Sequence, residues 1–167
     1  MGRKKHTFEE VADSDFDLRE IRDMELLVLK SHIYVETILR RIVSDKLAIP
    51  EDNPTLGSML FWQLAQLALG GAGDEELLRH AEQLNTVRNE IAHELYLACG
   101  SKALEAFVTM AITARRPDYT WPSAHEDDAR RPDFVQAAIS LIRPLIDKMT
   151  PREATWPRSP RLPLTKP

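Results

Sequence analysis

From Asp17 to Leu47 the chain runs for about 30 residues without Gly or Pro, more than twice the usual length of a globular helix. Along that run the apolar residues Leu18, Ile21, Met24, Val28, Val35, Ile38 and Ile42 keep a helical period. Asp15 or Asp17 can cap its start, and the run AIPEDNP stops it. A helix of this length must bury its apolar stripe against several partners, so the rest of the chain has to supply them. The segment TLGSMLFWQLAQLALGG predicts a second helix, capped at Thr55 and stopped at Gly70–Gly71. Asp74 opens a third helix that extends to about Ala98, and KALEAFVTMAITAR reads as a fourth. After the Pro- and Asp-rich loop RPDYTWPSAHEDDARRPD comes a fifth, PDFVQAAISLIRPLIDKM. Pro132 suits its first turn, and Pro144 is expected to kink or break it. No alternating strand pattern and no internal repeat is present, so the expected class is all-α, a helical bundle of about five helices.

The expected organisation is a flexible polar segment over residues 1–14, one helical domain over 15–150 and a Pro-rich tail over 151–167. The last of these, PREATWPRSPRLPLTKP, cannot form the interior of a helix or strand. Apolar residues at 43% and charged residues at 29% are ordinary for a soluble globular chain. A net charge of −4 gives no global basic field of the kind that gathers nucleic acid. The lone Cys99 rules out an internal disulfide and fits a reducing compartment. MGRKKHTFEE has no apolar run behind its basic residues, so a signal peptide is not expected. No apolar run approaches the length of a membrane span. The expectation is therefore a cytoplasmic protein without a membrane partner.

The third helix contains LNTVRNEIAHELY. At 100° per residue, Leu77, Leu84, Ile91 and Leu95 share one face, with Ala81 at its edge and Arg88 inside it. A guanidinium in a core face needs an acceptor or an outlet to solvent, and snorkelling at the edge of the stripe is one such outlet. Asn85, Asn89, His93 and Tyr96 form a second stripe, turn above turn. That stripe fits either a satisfied polar interface or a chemical site. On the first helix Glu25, His32 and Glu36 lie along one flank, where Glu36 or Glu25 can reach Arg88 if the two helices pack antiparallel.

Arg88-Asn89-x-x-x-His93 on the third helix of an α-bundle resembles the signature of the HEPN superfamily: an Arg, four to six residues, then a His. In that signature the Arg is often followed by Asn, Asp or His. ELLVLKSHIYVETILRRIV is similar to the first helices of HEPN-like and mannitol-repressor-like bacterial proteins. The resemblance covers roughly residues 17–150 in element order. It implies a metal-independent endoribonuclease that works as a homodimer, in which motif residues of two subunits meet in one cleft. Arg88 would clamp the scissile phosphate and stabilise developing charge. His93 would move a proton to or from the RNA 2′-hydroxyl or the leaving oxygen, and Asn89 would orient it or donate to phosphate. His32, Glu36, Asn85 and Tyr96 would support that cleft. No cofactor and no metal is implied. One toxin branch of the superfamily carries a Tyr two residues after the His, which a nucleotidyltransferase antitoxin adenylylates. Here Leu95 stands at that place and Tyr96 follows it.

Two functions from different classes are thus expected: a ribonuclease acting as a toxin or defence effector, with an antitoxin or regulatory partner, and a non-catalytic HEPN-fold regulatory or scaffold protein. No helix-turn-helix signature supports direct DNA reading. LGGAG lacks the Lys-Ser/Thr of a phosphate loop. His125, beside Glu126, Asp127 and Asp128, has no second His at ligand spacing. The basic residues at both ends of the chain can hold phosphates, and WPRSPRLPLTKP can dock as polyproline II.

Overall fold

The computed structural model describes residues 18–94, 101–113 and 127–149. Among these the chain is a bundle of α-helices with no strand. After a helical stretch at residues 18–20, six helices follow among the described residues: α1 (Met24–Leu47), α2 (Pro54–Ser58), α3 (Phe61–Leu69), α4 (Glu75–Glu94), α5 (Lys102–Thr113) and α6 (Asp127–Asp147). The expected end segments 1–14 and 151–167, with Leu95, Tyr96, Cys99 and His125, lie outside the described residues.

The long first helix is interrupted near its start. Residues 18–20 are helical, but α1 itself begins at Met24. Asp23 is extended (φ −74°, ψ 123°), and its carboxylate accepts from the Leu26 N–H at 2.7 Å. An Asp that caps from outside the helix competes with continuing it. The carbonyls freed by the break find a donor on α6: Arg131 Nη1 bonds the Arg19 and Ile21 carbonyls at 2.9 and 3.2 Å. Leu18 and Ile21 stay buried across the interruption, so the apolar period survives although the helix does not. At the other end Ala48 turns into the left-handed region at φ 52°.

The expected second helix is two. Asn53, not Thr55, caps α2, accepting from the Thr55 N–H at 2.9 Å, with Pro54 in its first turn. Met59 and Leu60 are extended, and the Gln63 side chain reaches back to the Leu60 N–H at 2.8 Å to open α3. The Ser58 hydroxyl donates to the Thr55 carbonyl at 2.8 Å, which ends the earlier turn. Gly70 closes α3 as expected; a Cβ there would collide with the Gln66 carbonyl.

In α6 the helix starts at Asp127 rather than Pro132, and both Pro132 and Pro144 lie within it. Each proline removes one helical hydrogen bond, and packing holds the helix through both, with Phe134, Ala138, Leu141 and Leu145 at 0% exposure.

Helix α1 packs on α3, α4 and α6, while α4 packs on α3 and α5, and α5 on α6. Two ring contacts mark the seams. His32 of α1 stacks on Phe61 of α3 (4.4 Å, 28°). His80 of α4 leans on Phe107 of α5 (4.6 Å), which leans on Phe134 of α6 (5.2 Å). No helix among the described residues is long and apolar enough to cross a membrane.

Candidate functional site

Helix α4 carries the Arg-Asn-x-x-x-His motif, and its buried side fixes which way the motif looks. His80, Ala81, Leu84, Val87 and Ile91 are buried. Around a helical wheel these residues centre near Leu84 and Ile91. Arg88 lies within that arc, between Leu84 and Ala81, yet is half-buried rather than enclosed. Its Nη1 donates to Oδ1 of its neighbour Asn89 at 3.1 Å. The expected acceptor on α1 is engaged elsewhere: Glu36 Oε1 accepts from Arg40 Nη2 at 2.7 Å, one turn along the same helix. Arg88 therefore takes its acceptor from α4 itself, with the guanidinium steered by the residue beside it.

The first and third predicted helices do meet through polar residues, at a different pair. His32 is buried, and its Nε2 donates to Asn85 Oδ1 at 3.0 Å; an amide oxygen only accepts, so that nitrogen carries the hydrogen. Nδ1 of the same ring lies 3.9 Å from Glu36 Oε2. Arg40, Glu36, His32 and Asn85 thus form one polar chain from the surface of α1 to the flank of α4. Of the expected supporting residues, Glu36, His32 and Asn85 are brought together, and Tyr96 lies outside the described residues. Asn85, which shares a stripe with Asn89 and His93, joins the seam within the chain and gives the buried imidazole N–H an acceptor.

His93 is exposed, in the last described turn of α4, and Asn89 is half-buried. Five residues separate Arg88 from His93, which places them about 140° apart and about 7.5 Å along the axis. One copy of the helix does not aim both at a single phosphate. No group of three or more His, Cys, Asp or Glu side chains able to hold a metal ion occurs among the described residues.

A polar residue that the sequence reading passed over is His80. It is 6% exposed, and its Nε2 has no hydrogen-bond partner. Burial lowers its pKa from the ordinary 6.5 to about 4, against a hydrogen bond to the Phe107 backbone that raises it. It lines a cavity of about 370 Å³ between α4, α5 and α6. The signal was available: His80 stands one turn before Leu84, two before Val87 and three before Ile91, on their side of the helix. Ser101 stands just before the helix read from KALEAFVTMAITAR. Its hydroxyl accepts from the Leu104 N–H at 3.1 Å, capping α5, and is bonded to Glu90 of α4.

The chain matches no protein-family model, and no curated protein or solved structure is significantly similar to it.

Proposed function

We propose that this protein is a HEPN-like, metal-independent endoribonuclease that acts as a homodimer in the cytoplasm, as a toxin or defence effector held in check by an antitoxin or regulatory protein. The observation that carries this reading is the disposition of α4. Arg88 is half-buried and steered by Asn89, while His93 is exposed on the same helix. The two point about 140° apart, as halves of a site that a second copy would complete across a two-fold axis. Arg88 binds and polarises the phosphate as a bidentate cation. His93 moves the proton of the 2′-hydroxyl nucleophile that RNA itself provides. Asn89 positions Arg88, and the His32–Asn85 bond holds α4 in register on α1.

The test is cleavage of single-stranded and structured RNA by the purified full chain in EDTA, beside His93→Ala. Cleavage by the wild type and its loss in the variant are expected. Absence of cleavage in the wild type, together with harmless overexpression, refutes the assignment.

A second reading is a non-catalytic HEPN-fold regulatory or scaffold protein. It is favoured by one specific observation: Asn85 is already bonded to His32 within the chain. In that case His93→Ala alters partner binding and no chemistry.

A further inference from the structure

Some 20 Å along α4 from His93, the cavity beside His80 has a wall that the fold does not satisfy. Leu77, Met110 and Pro144 supply its apolar lining, and His80 and Ser140 its polar part. Two acceptors belong to these residues: one has no partner, and the other has lost its helical donor. A hydrogen bond that raises the affinity of a ring for protons is one the ring donates, so a ring N–H of His80 meets the Phe107 backbone carbonyl. Burial keeps the ring neutral, which leaves Nε2, the atom without a partner, as a bare lone pair. The second acceptor comes from Pro144, which lies inside α6 and has no N–H. The carbonyl of Ser140, four residues earlier, therefore loses its helical donor. The Ser140 hydroxyl does not replace it, because its hydrogen goes to the Gln136 carbonyl at 2.8 Å.

The rim adds charge. Lys148 Nζ is paired with Asp74 Oδ1 at 2.5 Å, so its positive charge is neutralised locally. The exposed carboxylate of Glu76, on the same rim, leaves the mouth net negative. An anion would meet lone pairs at the back of the cavity and a carboxylate at its mouth. A ligand rich in N–H donors meets complementary groups at both. The volume lies at the small end of ligand pockets, which calls for a compact molecule.

We propose that this cavity is a binding site for a small primary ammonium compound with an apolar body. Its N–H groups bond His80 Nε2 and the Ser140 carbonyl, its charge is balanced by Glu76, and its carbon chain lies on Leu77, Met110 and Pro144. The site is independent of the ribonuclease reading and stands or falls without it.

The test titrates the full-length protein with n-butylammonium, and with n-butanol and butyrate as size-matched controls. The Met110 methyl and His80 ring resonances are followed by NMR. Saturable shifts are expected with n-butylammonium, at an affinity about tenfold or more above either control, the worth of one charge-assisted hydrogen bond. His80→Phe removes one acceptor and weakens binding about tenfold or more. Pro144→Ala gives the Ser140 carbonyl a helical donor and weakens binding similarly, in a chain whose helix gains a hydrogen bond and so does not unfold. No saturable shift, equal response to all three compounds, tighter binding of butyrate, or unchanged affinity in Pro144→Ala each overturns the proposal.

Discussion

Replacing His80 with Phe should change how the protein responds to acid. In the fold the ring is neutral and holds a proton only below about pH 4, whereas an unstructured chain takes one up near the ordinary 6.5. Between those values the unfolded chain binds more protons than the folded one, so stability falls as pH drops from about 6.5 toward 4 and is fully present above that window. The full difference corresponds to ~3 kcal/mol, reached near the lower end, and to ~1 kcal/mol at about pH 5.5. His80→Phe keeps a ring against Phe107, now 4.6 Å away, and removes both the titration and the unpartnered nitrogen. Carboxylates titrate in the same range, but they are common to both proteins and cancel in the difference. The assay is urea unfolding of both proteins at about pH 7, 5.5 and 4.5. The variant should gain on the wild type by ~1 and then ~2 kcal/mol as pH falls. A difference that stays flat across that range would show that His80 is solvated or already charged in the folded chain, and the reasoning would be refuted.

Three further outcomes follow from the polar contacts of α4. Asn85→Ala strands the buried Nε2–H of His32 and should cost ~1–3 kcal/mol in urea unfolding; no measurable loss would mean that the seam between α1 and α4 does not depend on that bond. Ser101→Ala removes the side-chain cap of α5 and the partner of Glu90, for ~1 kcal/mol, seen as faster amide exchange in the first turn of α5. Arg88→Ala should cost about 1 kcal/mol or less, since the guanidinium is half-buried with an intrahelical partner. A loss of ~3–5 kcal/mol would instead identify a structural buried charge.

The helical class was legible because the Gly- and Pro-free run up to Leu47, the stop at Gly70 and the start at Asp74 are local signals, read without knowing the neighbours. The breaks at Asp23 and at Met59–Leu60 were not, because side chains decide them. Asp23, Ser58 and Gln63 take backbone groups that a continuous helix would use, and Arg131, distant in sequence, holds the carbonyls freed near Ile21. Pro132 and Pro144 are helix breakers by propensity, yet the packing of Phe134, Leu141 and Leu145 overrides them. At the motif, periodicity put Arg88 among the core residues, between Leu84 and Ala81 on the wheel, but its long side chain is only half-buried and its guanidinium bonds Asn89. The same pattern gave the row Asn85, Asn89 and His93 correctly as a row. It could not tell that Asn85 has a partner within the chain, because the His32 ring that claims it comes from another helix.

Mixing two inactive variants probes the proposed chemistry and its two-copy geometry together. Arg88→Ala and His93→Ala are each purified, combined so that subunits exchange, and assayed for RNA cleavage in EDTA beside the wild type. If each phosphate is held by Arg88 of one copy and attacked with the help of His93 from the other, every mixed dimer retains one intact site. The wild type should cut, each variant alone should not, and a substantial share of activity should return on mixing. A wild type that leaves RNA intact, or a mixture as inactive as its components, would contradict the account.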